Sequence, residues 1–175
     1  MQDSEEGYPL HLSQDRIRNA LIIGAIAGVF CVAQSIVITL SNASTYHAYD
    51  ITKDTAVKNA LASTIFGYAV LTFVISMVIL GIAGFIAGKV VIQRRLGFLA
   101  GFLAGIITYA FSFITNYIPN YPGVQHTASS SASNGAIGGF LVSLIFLLVW
   151  GIIGGLVSLL GAWLATRKHP YYIGY

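Results

Sequence analysis

Apolar positions in this chain are gathered into four long runs, and polar segments separate them. The runs cover residues 17–40, 60–92, 96–118 and 136–166. Each run is long enough for a helix to cross the roughly 30 Å hydrocarbon core of a bilayer, which takes about 20 residues. The Lys, Arg, Asp and Glu residues lie outside the runs or within four residues of their ends. The pattern predicts an all-α integral membrane protein with four transmembrane helices, spans 1 to 4.

The segments outside the four runs are short and polar. Residues 1–16 are expected to form a polar tail and residues 169–175 a short C-terminal tail, on either side of a membrane domain at 17–168. Span 1 is longer than the apolar core of about 7–15 residues in a signal peptide, so we expect it to remain as an anchor. Residues 52–61 favour an outward extension of span 2, capped by Asp50 or Thr52.

Composition narrows the class of protein further. Charged residues make up 9% of the chain, against roughly 25% in soluble domains. The formal net charge is +3, but the basic residues gather at the ends of the runs and form no basic face, so we expect no nucleic-acid partner. Cys31 is the one cysteine of the chain, which excludes an intramolecular disulfide.

The basic residues are divided unevenly between the two predicted sides of the membrane. Seven of the nine, namely Arg16, Arg18, Lys89, Arg94, Arg95, Arg167 and Lys168, share one side, and Lys53 and Lys58 lie on the other. Cytoplasmic loops are enriched in Lys and Arg. We therefore expect an integral protein of the cell membrane with both termini and the turn near residues 93–95 in the cytoplasm.

Spans 1 and 2 resemble spans 3 and 4 in the placement of small residues. Gly24 and Gly28 correspond to Gly101 and Gly105, and Gly81, Gly84 and Gly88 correspond to Gly151, Gly154 and Ser158. This spacing predicts two tandem helical hairpins, as parallel repeats related by an axis along the membrane normal. The alternative is that membrane helices rich in Gly and Ala look alike by composition.

Small residues also recur on one face of each span. Because lipid chains are as apolar as Leu, helices in a bilayer associate by close packing, which small residues permit. The expected helix-packing residues are Gly24, Gly28, Gly81, Gly84, Gly88, Gly97, Gly101, Gly105, Gly151 and Gly154. They predict either packing within one bundle, with span 3 at its centre, or contact with a partner subunit.

Few polar side chains are expected deep in the membrane, and none of them is ionisable. They are Gln34, Ser35, Ser76, Thr108 and Ser112. A buried amide is costly unless it is hydrogen-bonded, so Gln34 is expected to contact another span, at Ser76 or Ser112. Intramembrane charges usually mark ion paths and proton relays. No set of side chains typical of catalysis, metal binding or cofactor binding is recognised.

These features favour a non-catalytic function. The leading hypothesis is a small accessory subunit that packs, through its glycines, within a larger respiratory, photosynthetic or transport complex or against a second copy of itself. The alternative is a small oligomeric channel or transporter, because parallel repeats with glycine-rich helices also occur in transport proteins. Such a pore would depend on hydroxyls, amides and backbone carbonyls.

Overall fold

A computed structural model describes the backbone of residues 10–115, 118–122 and 136–168, with side chains over residues 14–115, 118–122 and 142–168. It contains five helices, α1 Leu10–Ser41, α2 Ala43–Ile51, α3 Thr55–Val91, α4 Arg94–Thr115 and α5 Ala136–Thr166. Four of them, α1, α3, α4 and α5, are long and apolar enough to cross a membrane. The predicted all-α protein with four spans is confirmed.

The four long helices alternate in direction, and their glycine contacts show how they are arranged. Gly24 of α1 packs against Ala100 of α4, and Gly28 packs further along α4, so these two helices run parallel. Gly84 of α3 packs against Ser158 of α5 in the same parallel manner. Around the bundle the order is α1, α4, α5 and α3, and α3 also contacts α4 across the middle.

This order bears on the tandem hairpins expected from the sequence. In that hypothesis α1 corresponds to α4 and α3 corresponds to α5. A two-fold axis through the centre of the bundle would place corresponding helices on opposite corners, but here each lies beside its counterpart. The duplication itself stays a prediction.

The boundaries of several helices differ from those predicted. Helix α1 begins seven residues before the apolar run, and the first connection contains a short helix, α2, that the sequence pattern does not predict. Helix α3 begins at Thr55, and its cap is Asp54, so the caps expected at Asp50 or Thr52 are wrong. The Asp54 carboxylate accepts a 2.8 Å hydrogen bond from the Ala56 backbone N–H. A carboxylate at this position satisfies an otherwise unpaired amide of the first turn.

A tight turn joins α3 to α4. Ile92 ends α3 in the left-handed region, at φ 59°, and its N–H donates a 3.0 Å hydrogen bond to the carbonyl of Gly88. Two residues, Ile92 and Gln93, separate the helices. The seven basic residues that the sequence places on one side all lie at the end of the bundle marked by this turn, here called the basic end.

Small side chains pack the half of the bundle next to the basic end, here called the closed half. Its buried residues include Ala20, Gly24, Ala27, Ala83, Gly84, Ala87, Gly88, Ala100, Gly101, Ala104, Gly154 and Ala162. The outward surfaces carry large apolar side chains, such as Phe30, which is 62% exposed. Surfaces of this kind are suited to lipid, and the chain is an integral membrane protein in contact with the bilayer.

Candidate functional site: a cavity between the spans

A cavity of about 460 Å³ lies between the spans in the half of the bundle away from the basic end. All four spans contribute to it, together with α2 and the segment after α4. It is lined by Val32, Ser35, Thr39, Tyr46, Ile65, Ala69, Thr72, Phe73, Ser76, Thr108, Tyr109, Phe111, Ser112, Thr115, Tyr121, Pro122 and Trp150. Its volume falls within the range of about 300–1,000 Å³ that is typical of small-molecule sites.

The described residues of the cavity lining are polar but uncharged. Ten of these seventeen described residues carry a hydroxyl group, and none of the seventeen is Lys, Arg, His, Asp or Glu. Tyr46 on α2 lies at the outer part of the cavity. Burial raises the pKa of its phenol, and the neighbouring Tyr121 and Tyr68 raise it further. The phenol of Tyr46 is therefore neutral at physiological pH.

The hydroxyl groups on α4 are partly satisfied by their own helix. The Thr108 hydroxyl donates a 2.8 Å hydrogen bond to the carbonyl of Ala104, and the Thr115 hydroxyl donates one to Ser112. Each of these threonines keeps its oxygen lone pairs as acceptors.

Other lining hydroxyls have no such partner. Those of Ser35, Thr39, Thr72 and Tyr109 make no hydrogen bond within the part of the chain that the structure describes. A hydroxyl in an apolar environment without a hydrogen bond costs several kcal/mol by transfer to hydrocarbon. These four side chains are half-buried, so their hydroxyls are open to hydrogen bonds from water or a polar ligand in the cavity.

Gln34 and Ser76 lie where the cavity meets the closed half. The Gln34 amide nitrogen donates to the Ser76 hydroxyl at 2.9 Å and to the Thr72 carbonyl at 3.2 Å. Ser76 is one of the two partners expected for Gln34 from the sequence, and Ser112 lies instead on the cavity wall. The Oε1 atom of Gln34 is buried and has no hydrogen-bond partner among the described residues.

Small residues at intervals of three and four form a stripe along one face of α4, from Gly97 to Thr115. The surroundings of this stripe change along its length. Gly97, Gly101 and Gly105 pack against α5, where an added Cβ would meet Ala162, the Gly154 carbonyl and the Trp150 carbonyl, respectively. The next three members of the stripe, Thr108, Ser112 and Thr115, line the cavity. One face of α4 thus seals one half of the bundle and lines the cavity in the other.

Most of the glycines that the sequence predicts to pack on the other helices lie at contacts between two helices. An added Cβ at Gly24, Gly28, Gly84, Gly88, Gly151 or Gly154 would meet a neighbouring helix. Gly81 is the exception, because a Cβ there would meet nothing within 4 Å. The sequence reasoning missed Gly161, which packs against the Gly81 carbonyl, and the 2.7 Å hydrogen bond from the Ser158 hydroxyl to the Gly97 carbonyl.

The aromatic part of the cavity was also missed by sequence reasoning. Tyr109 and Trp150 come from apolar stretches of α4 and α5, and Tyr46 and Tyr121 come from segments interpreted as loops. Phe73 and Trp150 meet edge to face, with ring centroids 5.8 Å apart. The hydroxyls at 108, 112 and 115, spaced along one face, were the sequence signal that could have located this cavity.

Cationic side chains surround the basic end. Arg94 Nε donates a 3.0 Å hydrogen bond to the Thr166 hydroxyl, which ties α4 to the end of α5. Lys89 lies over the Phe85 ring of its own helix at 4.9 Å, and Arg167, which directly follows α5, lies over the Trp163 ring at 5.9 Å. Long cationic side chains near a helix end extend toward the interface in this way.

The described residues include no group of three or more His, Cys, Asp or Glu side chains that could hold a metal ion together.

Comparisons with protein-family models, curated proteins and solved structures give no match for this chain. The fold and the site define an integral membrane protein of four spans, with a hydroxyl-lined cavity between them whose described residues are uncharged.

Proposed function

We propose that this chain is a small non-catalytic membrane channel or transporter for uncharged solutes, and that the cavity is its binding site. The observation that carries this proposal is the hydroxyl-rich lining, in which α1 to α4 supply hydroxyls and α5 supplies Trp150. Such a lining costs free energy in a bilayer unless water or a polar ligand occupies it. A bundle that served only as packing material would be more stable with apolar side chains at these positions.

The same lining favours an uncharged solute. An ion that leaves water for a site of low dielectric pays a large desolvation penalty, which an opposite charge usually offsets. The part of the lining that the structure describes offers no such charge, since its residues are all uncharged. Hydroxyls and aromatic rings are instead suited to hydrogen-bonding a neutral molecule and to covering its apolar surface.

The closed half bears on the mode of transport. Backbone contacts between α4 and α5, at Gly101 and Gly154, leave no room there for even a methyl group. Passage of a solute through one chain therefore requires this contact to loosen. We accordingly favour a carrier that opens toward one side at a time, and a static pore through a single chain would conflict with these contacts.

The orientation that we propose places the basic end and both termini in the cytoplasm of a cell. It rests on the positive-inside rule applied to seven basic residues at one end and two at the other. In this orientation the cavity opens toward the outside, and the closed half faces the cytoplasm.

An accessory subunit is the second candidate function, and one observation favours it. Gly67 on α3 is exposed, and an added Cβ there would meet nothing within 4 Å. Ser63 lies one turn earlier on the same exposed surface. A helix of a partner subunit could approach closely here. Against this candidate, most of the glycines that could contact a partner subunit already pack against neighbouring helices within the bundle.

Reconstitution into liposomes separates the two candidates. Stopped-flow light scattering would follow glycerol entry into vesicles that contain the wild type, Ser112→Trp or the matched control Ser63→Trp. We expect saturable glycerol flux above empty vesicles for the wild type and Ser63→Trp, and none for Ser112→Trp, because its indole fills the cavity. Flux equal to that of empty vesicles, with stoichiometric co-purification of a larger complex from native membranes, would favour the accessory subunit.

A further inference from the structure

We infer that the basic end carries a binding site for an anionic phospholipid, where the start of α4 meets the end of α5, and that Arg95 and Arg167 attract its headgroup. This surface lies at the opposite end of the bundle from the cavity, so its role is separate from the proposed transport. It would give the chain a lipid partner of defined charge, beyond the general contact of its spans with the bilayer.

A hydrogen bond between the two helices brings these arginines to the same end of the α4–α5 contact. Arg94 Nε donates to the Thr166 hydroxyl at 3.0 Å, so the first turn of α4 lies against the last turn of α5. Arg95 follows Arg94, Arg167 follows Thr166, and both side chains are exposed. Two cations from different helices therefore lie beside one interhelical contact.

No carboxylate of the described residues neutralises these two arginines. Neither of them forms an ion pair within that part of the chain. Asp15 is the one described carboxylate at the basic end, and it is paired with Arg18 of its own helix at 3.2 Å. A guanidinium offers five N–H donors in a planar fork that suits phosphate. The charge of Arg95 and Arg167 is thus available to an external anion.

The surface beside the arginines is apolar, which favours a lipid over a soluble anion. The guanidinium carbon of Arg167 lies 5.9 Å from the centroid of the Trp163 ring, and Trp163 is 45% exposed. Leu160 and Leu164, on the same part of α5, are more than half exposed. Tryptophan is enriched where hydrocarbon meets headgroups. The cations suit the phosphate of a phospholipid, and the apolar side chains suit its acyl chains.

The charge of the site selects among phospholipids. Phosphatidylglycerol carries a net negative charge, whereas the choline group of phosphatidylcholine adds a positive charge that the arginines repel. One Lys or Arg near an anionic membrane surface contributes about fivefold in affinity. We therefore expect a preference of at least about fivefold for phosphatidylglycerol at this site.

Trp163 can report this preference directly. The chain has two tryptophans, so Trp150→Phe leaves Trp163 as the single one. Quenching of its fluorescence, with the full chain in liposomes that mix brominated phosphatidylglycerol with unlabelled phosphatidylcholine and in the reverse mixture, gives the ratio of the two affinities. We expect this ratio to fall at 1 M salt, where the Debye length is about 3 Å instead of about 10 Å at 0.1 M. A ratio of one at low salt would overturn the inference.

Double variants in the same background assign the preference to the site. Arg95→Gln with Arg167→Gln should bring the ratio close to one. Arg95→Lys with Arg167→Lys keeps the charge and should retain most of the preference, which separates loss of charge from loss of structure. The matched control, Arg16→Gln with Lys89→Gln, removes two exposed charges from α1 and α3 at the same end and should keep the full preference. Equal losses in the control and in the Gln pair at 95 and 167 would assign the preference to the net charge of the whole basic end and contradict the inference.

Discussion

Gln34 on α1 is hydrogen-bonded to Ser76 on α3 at 2.9 Å, at the level where the closed half of the bundle meets the cavity. The same amide nitrogen bonds the Thr72 carbonyl at 3.2 Å, so both of its protons are used. The contact links two antiparallel helices of the first hairpin. It also orients Ser76, which is buried in the packed core and lines the cavity.

A double-mutant cycle would measure this contact. Gln34→Met keeps the length of the side chain and removes the amide, including its unpartnered Oε1 atom. Ser76→Ala leaves the amide nitrogen with one bond in place of two. We expect a coupling free energy of unfolding of about 0.5–1.5 kcal/mol, the value of one interhelical hydrogen bond in a membrane. Chemical unfolding in mixed micelles gives the four stabilities, and strict additivity would show that the bond contributes nothing.

Gly101 is predicted to be the least replaceable glycine of α4. A Cβ at this position meets the Gly154 carbonyl and the Ser158 side chain, so Gly101→Leu forces α4 and α5 apart. Overpacking of this kind costs about 1–3 kcal/mol or more. The melting temperature in detergent should fall accordingly. The control is Phe30→Leu, which changes a side chain on the outer surface, and equal melting temperatures for both variants would refute the role of this contact.

Ile92 is predicted to reduce the stability of the α3–α4 turn. Its φ of 59° places a β-branched residue in the left-handed region, which costs about 1–2 kcal/mol for an L-residue. Glycine adopts this conformation without steric penalty but loses more chain entropy on folding, about 0.5–1 kcal/mol. Ile92→Gly should therefore raise the free energy of unfolding by up to about 1 kcal/mol.

Ile92→Val is the matched control for the turn, because it shortens the side chain and keeps the β-branch. It should give no gain in stability. If Ile92→Gly proves no more stable than Ile92→Val, the backbone conformation at this residue is not the source of strain.

The orientation of the chain can be tested with two introduced cysteines in a Cys31→Ala background. Ser44 lies on α2 and Gln93 in the α3–α4 turn, and both are exposed. In intact cells an impermeant thiol reagent should label Ser44→Cys at once and Gln93→Cys only after permeabilisation. The reverse pattern would place the basic end outside and contradict the positive-inside assignment.

Much of the fold could be predicted from local sequence pattern, because crossing a bilayer dictates both helix length and apolarity. The contact of Gln34 with another span followed from the cost of burying an amide. The cap at Asp54 and the short helix α2 could not be located in this way, since several residues of that connection can cap a helix. The C-terminal tail expected at residues 169–175 lies outside the described residues.

The cavity was harder to predict for a physical reason. Helical spacing shows which residues share a face of α4, but the surroundings of that face depend on how neighbouring helices cross. Gly97 and Thr108 belong to the same stripe, yet one packs against α5 and the other lines an open space. Tyr46 and Trp150 reach the cavity from distant parts of the chain, and no local pattern brings them together.

The central claim, a water-filled cavity in one half of the bundle, is tested most directly by thiol reactivity in liposomes. Ser112 lines the cavity, and Ile114 on the same helix is 55% exposed on the outer apolar surface. A thiol reacts as the thiolate and needs water, so in a Cys31→Ala background Ser112→Cys should be labelled at least about tenfold faster than Ile114→Cys. The wild type, whose Cys31 is 0% exposed, should remain unlabelled. Equally slow labelling of Ser112→Cys and Ile114→Cys would mean that the cavity is dry, and would contradict the account.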